Sequence, residues 1–154
     1  MISEIETLIP HRAPFLFVDR IVARGKGWLE SAWQVPADAS WFRGHFPGMP
    51  VTPGVILSEH VFQSAGLLVA LEAGAARASP GPGVVPVLTK IEEARFRRMV
   101  KPGEELTTRV ELVERLGPAW VLKGSVACAE ESVLKIRFVL ASTTAPTLTD
   151  RGRP

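Results

Sequence analysis

The chain has 154 residues, 46% of them hydrophobic and 22% charged, which suits one globular domain with a closed core and excludes a disordered chain. Eighteen basic side chains against sixteen acidic ones leave a net charge of +2, too small an excess to argue for nucleic acid as a partner. The single cysteine, Cys128, rules out an intrachain disulfide and thiolate metal sites of the CxxC kind.

Met1 to Pro10 carries Glu4 and Glu6 and no apolar run, so it does not read as a secretory signal; with the lone cysteine, this sets a reducing cytoplasm as the expected compartment. Phe15 to Arg24 and Gly27 to Val35 read as two strands joined near Gly25 and Gly27. Three prolines and three glycines between Gly44 and Gly54 then fix an irregular loop. Gly54 to Ala73 is the longest apolar stretch, with Pro53 suited to a helix start and Gly74 to a helix end. Glu59, His60 and Gln63 inside it argue against membrane insertion and for a helix buried on most of its circumference in a soluble fold.

Ser79-Pro80-Gly81-Pro82-Gly83 reads as a loop leading to a strand over Val87 to Arg97, which the turn Lys101-Pro102-Gly103-Glu104 closes. Leu106, Thr108, Val110 and Leu112 alternate with Thr107, Arg109 and Glu111, the period of a half-buried strand. Leu116-Gly117-Pro118-Ala119 breaks the pattern as a turn. Trp120, Leu122, Val126 and Cys128 resume it, and Leu134, Ile136, Phe138 and Leu140 complete it after Glu130-Glu131-Ser132. Such short connections join antiparallel neighbours. The expected fold is α+β, with one long helix wrapped by a curved antiparallel sheet. Residues 1–143 form one domain, and Thr144 to Pro154, without apolar periodicity, read as a loose tail.

The chemistry concentrates in Trp41 to Gln63, WFRGHFPGMPVTPGVILSEHVFQ. His45 stands in the loop and Glu59 follows fourteen residues later, in the second turn of the helix. A histidine and a carboxylate in apolar surroundings make a candidate acid/base pair, since burial favours the neutral form of each. Gly54, without a side chain, lets a ligand approach a helix N-terminus whose amide can receive a carbonyl oxygen gaining negative charge.

GHFPGMPVTPGVILSEHVFQSAG closely resembles the active-site stretch of the 3-hydroxyacyl-acyl-carrier-protein dehydratases of fatty acid synthesis, the FabZ-type enzymes with the hot-dog fold. IPHRAPFLFVDRI (residues 9–21) and LTKIEEARFRRMVKPGEEL (residues 88–106) agree with the same family, in one register over roughly residues 8 to 141. The resemblance implies His45 as the catalytic histidine, Glu59 as the catalytic carboxylate and Gly54 as the amide that binds the thioester carbonyl. It further implies that the Val51 carbonyl orients the histidine ring and that Gln63 holds the carboxylate. By the same resemblance the reaction needs no metal or organic cofactor. The substrate arrives on the phosphopantetheine arm of an acyl carrier protein. The protein is a homodimer whose shared sites pair the histidine of one subunit with the acid of the other, and the family often forms trimers of dimers.

Departures from the family pattern fall at Ala13, Thr52, Ser58, His60 and Met99. None removes the base, the acid or the oxyanion donor. His11, the Asp19-Arg20 pair, His60 and Cys128 are expected to be structural. Arg95, Arg97, Arg98 and Lys101, with no acid among them, read either as a solvated strand end or as a docking patch for the acidic carrier protein. Two other functions compete: a hot-dog thioesterase using the helix carboxylate, and a non-catalytic acyl-carrier or acyl-chain binding module.

Overall fold

The computed structural model describes residues 3–74 and 84–144. A short helix α1 (Glu4–Leu8), closed at its start by a reciprocal Ser3–Glu6 capping box, precedes the strands β1 (Arg20–Gly25) and β2 (Trp28–Gln34). The long helix α2 (Gly54–Glu72) follows, and then β3 (Val84–Phe96), β4 (Glu105–Leu116), β5 (Ala119–Cys128) and β6 (Glu131–Thr144). The alternating segments become hairpin-linked strands because their turns suit a right-handed twist. Gly117 takes φ 59 ahead of Pro118, while Ala129 and Glu130, both at positive φ, turn β5 into β6. All pairings are antiparallel, in the order β1-β2-β4-β5-β6-β3. This is the hot-dog plan, with α2 against the inner face of one curved sheet.

Helix α2 is apolar around most of its surface, so it must be covered on most sides. By length and composition it could cross a bilayer, yet 61% of that window is buried inside the protein. Leu57, Val61, Ala65, Leu67 and Leu68 meet Leu29, Trp33, Val110, Leu122, Leu134 and Phe138 in one core. The helix lies close because β5 offers bare backbone at Gly124, where an added Cβ would overlap Val61. A β-branched valine in a helix has essentially one rotamer and cannot swing aside. Gly124→Ala is therefore expected to destabilise the protein by about 1–3 kcal/mol through overpacking, read as a lower urea midpoint at constant slope. An unchanged midpoint would show that α2 can retreat from the sheet.

Two expectations need correction. Phe15 to Asp19 is not part of β1, which begins at Arg20. The segment is bound largely by side chains of α2: Gln63 and His60 hold Phe15 and Phe17, and Asp19 alone reaches β2, its amide donating to Ala32 O and its carboxylate accepting from the Gln34 amide. Strand β6 continues through Thr144, the first residue assigned to the tail. Residues 145–154 and the loop Ser79–Gly83 lie outside the described residues.

Candidate active site

A 3-10 turn (Ser40–Arg43) delivers the chain to His45, whose amide donates to Trp41 O at 2.9 Å. The loop then folds back on itself. The Val51 amide donates to His45 O at 3.0 Å, and His45 Nδ1 lies 2.8 Å from Val51 O. A carbonyl oxygen only accepts, so Nδ1 carries a proton, and in the neutral ring the lone pair is on Nε2. The ring is steadied from one side by Phe46, stacked at 4.1 Å between centroids. The Thr52 amide ties the loop to Val100 O at 2.8 Å.

Pro53 caps α2 and cannot donate, and the amides of Gly54 and Val55 find no acceptor among the described residues. Two N–H groups thus stand open at the positive end of a 19-residue helix. A side chain at Gly54 would come within 3.1 Å of the Phe96 ring, so the glycine both bares its amide and makes room for β3.

One turn into α2, Glu59 Oε1 accepts from Gln63 Nε2 at 3.0 Å. Gln63 is fully buried and spends its other groups on the Phe17 amide and Phe15 O, so the carboxylate is braced against the N-terminal segment. His11 belongs to this assembly, although as an isolated histidine in a loop it reads as packing. Its Nε2 lies 3.5 Å from Glu59 Oε1, and burial lowers its pKa while the Glu59 carboxylate opposes that and Arg12 adds to it. The signal that could have found it is the PHR triplet within the family-like segment.

His60, the next residue along, turns away from Glu59 and into the core. Its Nδ1 lies 2.6 Å from Phe17 O and its Nε2 2.7 Å from Thr108 Oγ1, and it is wholly buried beside Trp33. Burial lowers its pKa to about 4, against a smaller opposing effect of the Phe17 carbonyl. Neutral imidazole donates to the carbonyl and accepts from the threonine hydroxyl, so both nitrogens are satisfied. Ser58 is settled too, its hydroxyl donating to Gly54 O at 3.0 Å.

Among the described residues, three buried side-chain polar atoms have no partner: His11 Nδ1, Trp41 Nε1 and Thr52 Oγ1. All three flank the His45 loop or Glu59. An unmet buried donor or acceptor costs about 1–3 kcal/mol, so this region carries polar capacity that the fold itself does not use. Within one chain His45 and Glu59 form no hydrogen bond or ion pair, each being held by its own partners.

The basic run divides. Arg98 forms a bidentate pair with Glu104 at 2.8 and 2.9 Å and reaches Glu131 at 3.1 Å; the Lys101 amide also donates to Glu104. Arg98's hydrogen bonds hold the Glu104 carboxyl down to about 2. Arg98 thereby locks the turn after β3. Arg95 pairs with Glu93, whereas Arg97 and Lys101 make no ion pair among the described residues.

The family model described as a FabA-like domain matches residues 9–137. The chain belongs to the FabA-like family. Relatives within reach of this FabA-like chain include the 3-hydroxyacyl-[acyl-carrier-protein] dehydratase FabZ of Anaeromyxobacter sp. (strain Fw109-5), 38% identical over 90% of this chain and 87% of that protein. The dehydratase of the same name from Sodalis glossinidius is 40% identical over 82% and 86%. Among solved structures, the dehydratase heterocomplex ApeI:P from Xenorhabdus doucetiae superposes with a TM-score of 0.76, covering 91% of both chains at 13% identity, a likeness of fold.

Proposed function

We propose that this FabA-like protein removes water from a 3-hydroxyacyl thioester carried on acyl carrier protein, giving the trans-2-enoyl thioester in fatty acid or related biosynthesis. The observation that carries the reading is the His45–Val51 bond, which fixes one ring nitrogen as donor and leaves Nε2 free as a base. In this mechanism Nε2 takes a proton from C2. The thioester oxygen gains charge and rests on the Gly54 amide, and Glu59, in its acid form, protonates the departing C3 hydroxyl. Gln63 and His11 keep the carboxyl group in place. Every step uses the chain's own groups.

The dimer belongs to the same proposal. Strand β3 is a sheet edge thirteen residues long, and Val87, Leu88, Ile91 and Phe96 stand 41–51% exposed on it. A long apolar edge is an open template for another strand, and a second copy of β3 is its natural cover. Phe96, against Gly54, sits at the end of that edge, so a partner there would stand beside the helix N-terminus. The proposal places the enzyme in the cytoplasm with its carrier.

Incubation with a 3-hydroxyacyl thioester separates the candidate activities. The expected product is the conjugated enoyl thioester, seen by its absorbance, without free thiol. Thiol release would make the protein a thioesterase, and neither product would leave a binding module.

A further inference from the structure

The two carboxyl oxygens of Glu59 stand in different surroundings. Oε1 accepts from Gln63 Nε2 at 3.0 Å and has His11 Nε2 at 3.5 Å. Oε2 accepts no hydrogen bond among the described residues, and it is not one of the sealed, unpartnered atoms, so it opens onto accessible space. A protonated carboxyl group has one carbonyl-like oxygen and one hydroxyl. Donors gathered on one oxygen make that oxygen the acceptor and send the proton to the other.

His11 can be such a donor only with its ring proton on Nε2. Its Nδ1 is buried without a partner. A proton there would be a sealed donor with no acceptor, and the Nε2 lone pair would face those of Oε1. The Nε2–H tautomer avoids both. The 3.5 Å separation is long, as acid/base contacts often are before substrate tightens them. The ring must also stay neutral, because an imidazolium beside Glu59 would hold the carboxyl group ionised and remove the acid. The surroundings favour neutrality: burial lowers the His11 pKa most, Arg12 adds to that, and the Glu59 carboxylate opposes it. Arg12 is itself turned to the carbonyls of Glu6, Ile9 and His11 and to the Glu6 carboxylate. Phe15, stacked on the His11 ring, brings no charge.

We infer that His11 is a positioning residue that, as a neutral Nε2–H donor beside Gln63, places the acid proton of Glu59 on Oε2. The inference rests on the dehydratase reading and deepens it. As the C3–oxygen bond breaks, the Oε2 proton passes to the departing hydroxyl, which leaves as water. The negative charge left on the carboxylate is met at Oε1 by two N–H groups. His11 itself neither gains nor loses a proton in the step.

The test compares His11→Gln, His11→Leu and His11→Lys, each checked for an intact fold by thermal melting, in kcat and KM on a 3-hydroxyacyl thioester. His11→Gln keeps an N–H donor at the reach of Nε2 and should stay within about threefold of the wild-type kcat. His11→Leu keeps bulk without a donor and should lower kcat about tenfold with KM little changed. His11→Lys grips a carboxylate best, yet it should be the worst, down about a hundredfold. A cation at this distance lowers a carboxyl pKa by about one to three units and depletes the acid form accordingly. A residue that merely braced Glu59 would give the opposite order for lysine and leucine. Glu59 is also followed without turnover, by carbon NMR of its carboxyl group, identified by its absence in Glu59→Gln. In His11→Lys that group should stay ionised to a lower pH than in the wild type. Wild-type kcat in His11→Leu would overturn the inference, as would a lysine variant no worse than leucine or carboxyl titrations identical in His11→Lys and wild type. Absence of turnover by the wild type would instead remove the dehydratase reading, and the carboxyl titrations would still decide the part played by His11.

Discussion

His45→Ala and Glu59→Gln are each expected to abolish dehydration while leaving the protein folded. General acid or base catalysis by one positioned group contributes about 10²–10⁴-fold, and the proposed mechanism assigns each residue one proton transfer. The structure indicates why both variants should fold. Glutamine at position 59 can still accept from Gln63 Nε2 through its carbonyl oxygen, and His45 sits half-buried in a loop whose backbone bonds to Trp41 and Val51 do not involve the ring. Circular dichroism and thermal melting should match the wild type. If sites are shared across a dimer, mixing the two inactive variants under conditions of proven subunit exchange should restore turnover. Rescue fails if histidine and acid act within one chain, and full activity in either variant removes its assigned role.

The second large effect is on stability in mild acid. His60 is buried neutral with a pKa lowered to about 4, while in the unfolded chain it titrates near the ordinary histidine value of about 6.5. Between those values the unfolded state binds more protons than the native state, so stability rises with pH across the window and is lost as pH falls through it. The unfolding free energy from urea titrations should drop by roughly 2 kcal/mol between pH 7 and pH 5. His60→Gln should flatten that slope and lower stability at neutral pH, because Phe17 O and Thr108 Oγ1 lose well-placed partners. A wild-type slope unchanged by His60→Gln would assign the acid sensitivity to other groups.

Helix α2 and strands β4 to β6 were legible because their signals are local: an apolar run ended by Gly74, and period-two alternation punctuated by Leu116-Gly117-Pro118-Ala119 and Glu130-Glu131-Ser132. Strand β3 was placed but its start was missed, because Pro86 lies inside Val84 to Phe96 and a proline weakens the signal of a strand. The Phe15 to Asp19 segment reads as strand from its apolar pattern; that Phe15 and Phe17 bond to Gln63 and His60 is a tertiary fact without local pattern. His45, Glu59, Gly54, Val51 and Gln63 could be read because they fall within one contiguous stretch. His11 was read as structural, since its place beside Glu59 is a contact across 48 residues of chain and only the PHR triplet hinted at it. The charges on the outer face of the sheet were equally hidden as a group: Arg95, Arg109, Lys123, Lys135 and Arg137 are neighbours only once four strands have taken their register.

Glu59 and His60 are consecutive on a helix and so diverge by about 100° around its axis. One faces the region of His11, and the other is pinned in the interior by a backbone carbonyl and a threonine hydroxyl. The Ser31–Ser64 contact at 2.8 Å fixes the same side of the helix one turn later. These bonds act as a keyway: they set the rotational phase of α2, and through it the direction in which the carboxyl group emerges. A core substitution at Thr108 or Ser31 can therefore miscue the acid by a few degrees of roll without touching it. The choice of a polar key over a purely greasy one gives the helix a single angular setting, which interchangeable methyl contacts would not define.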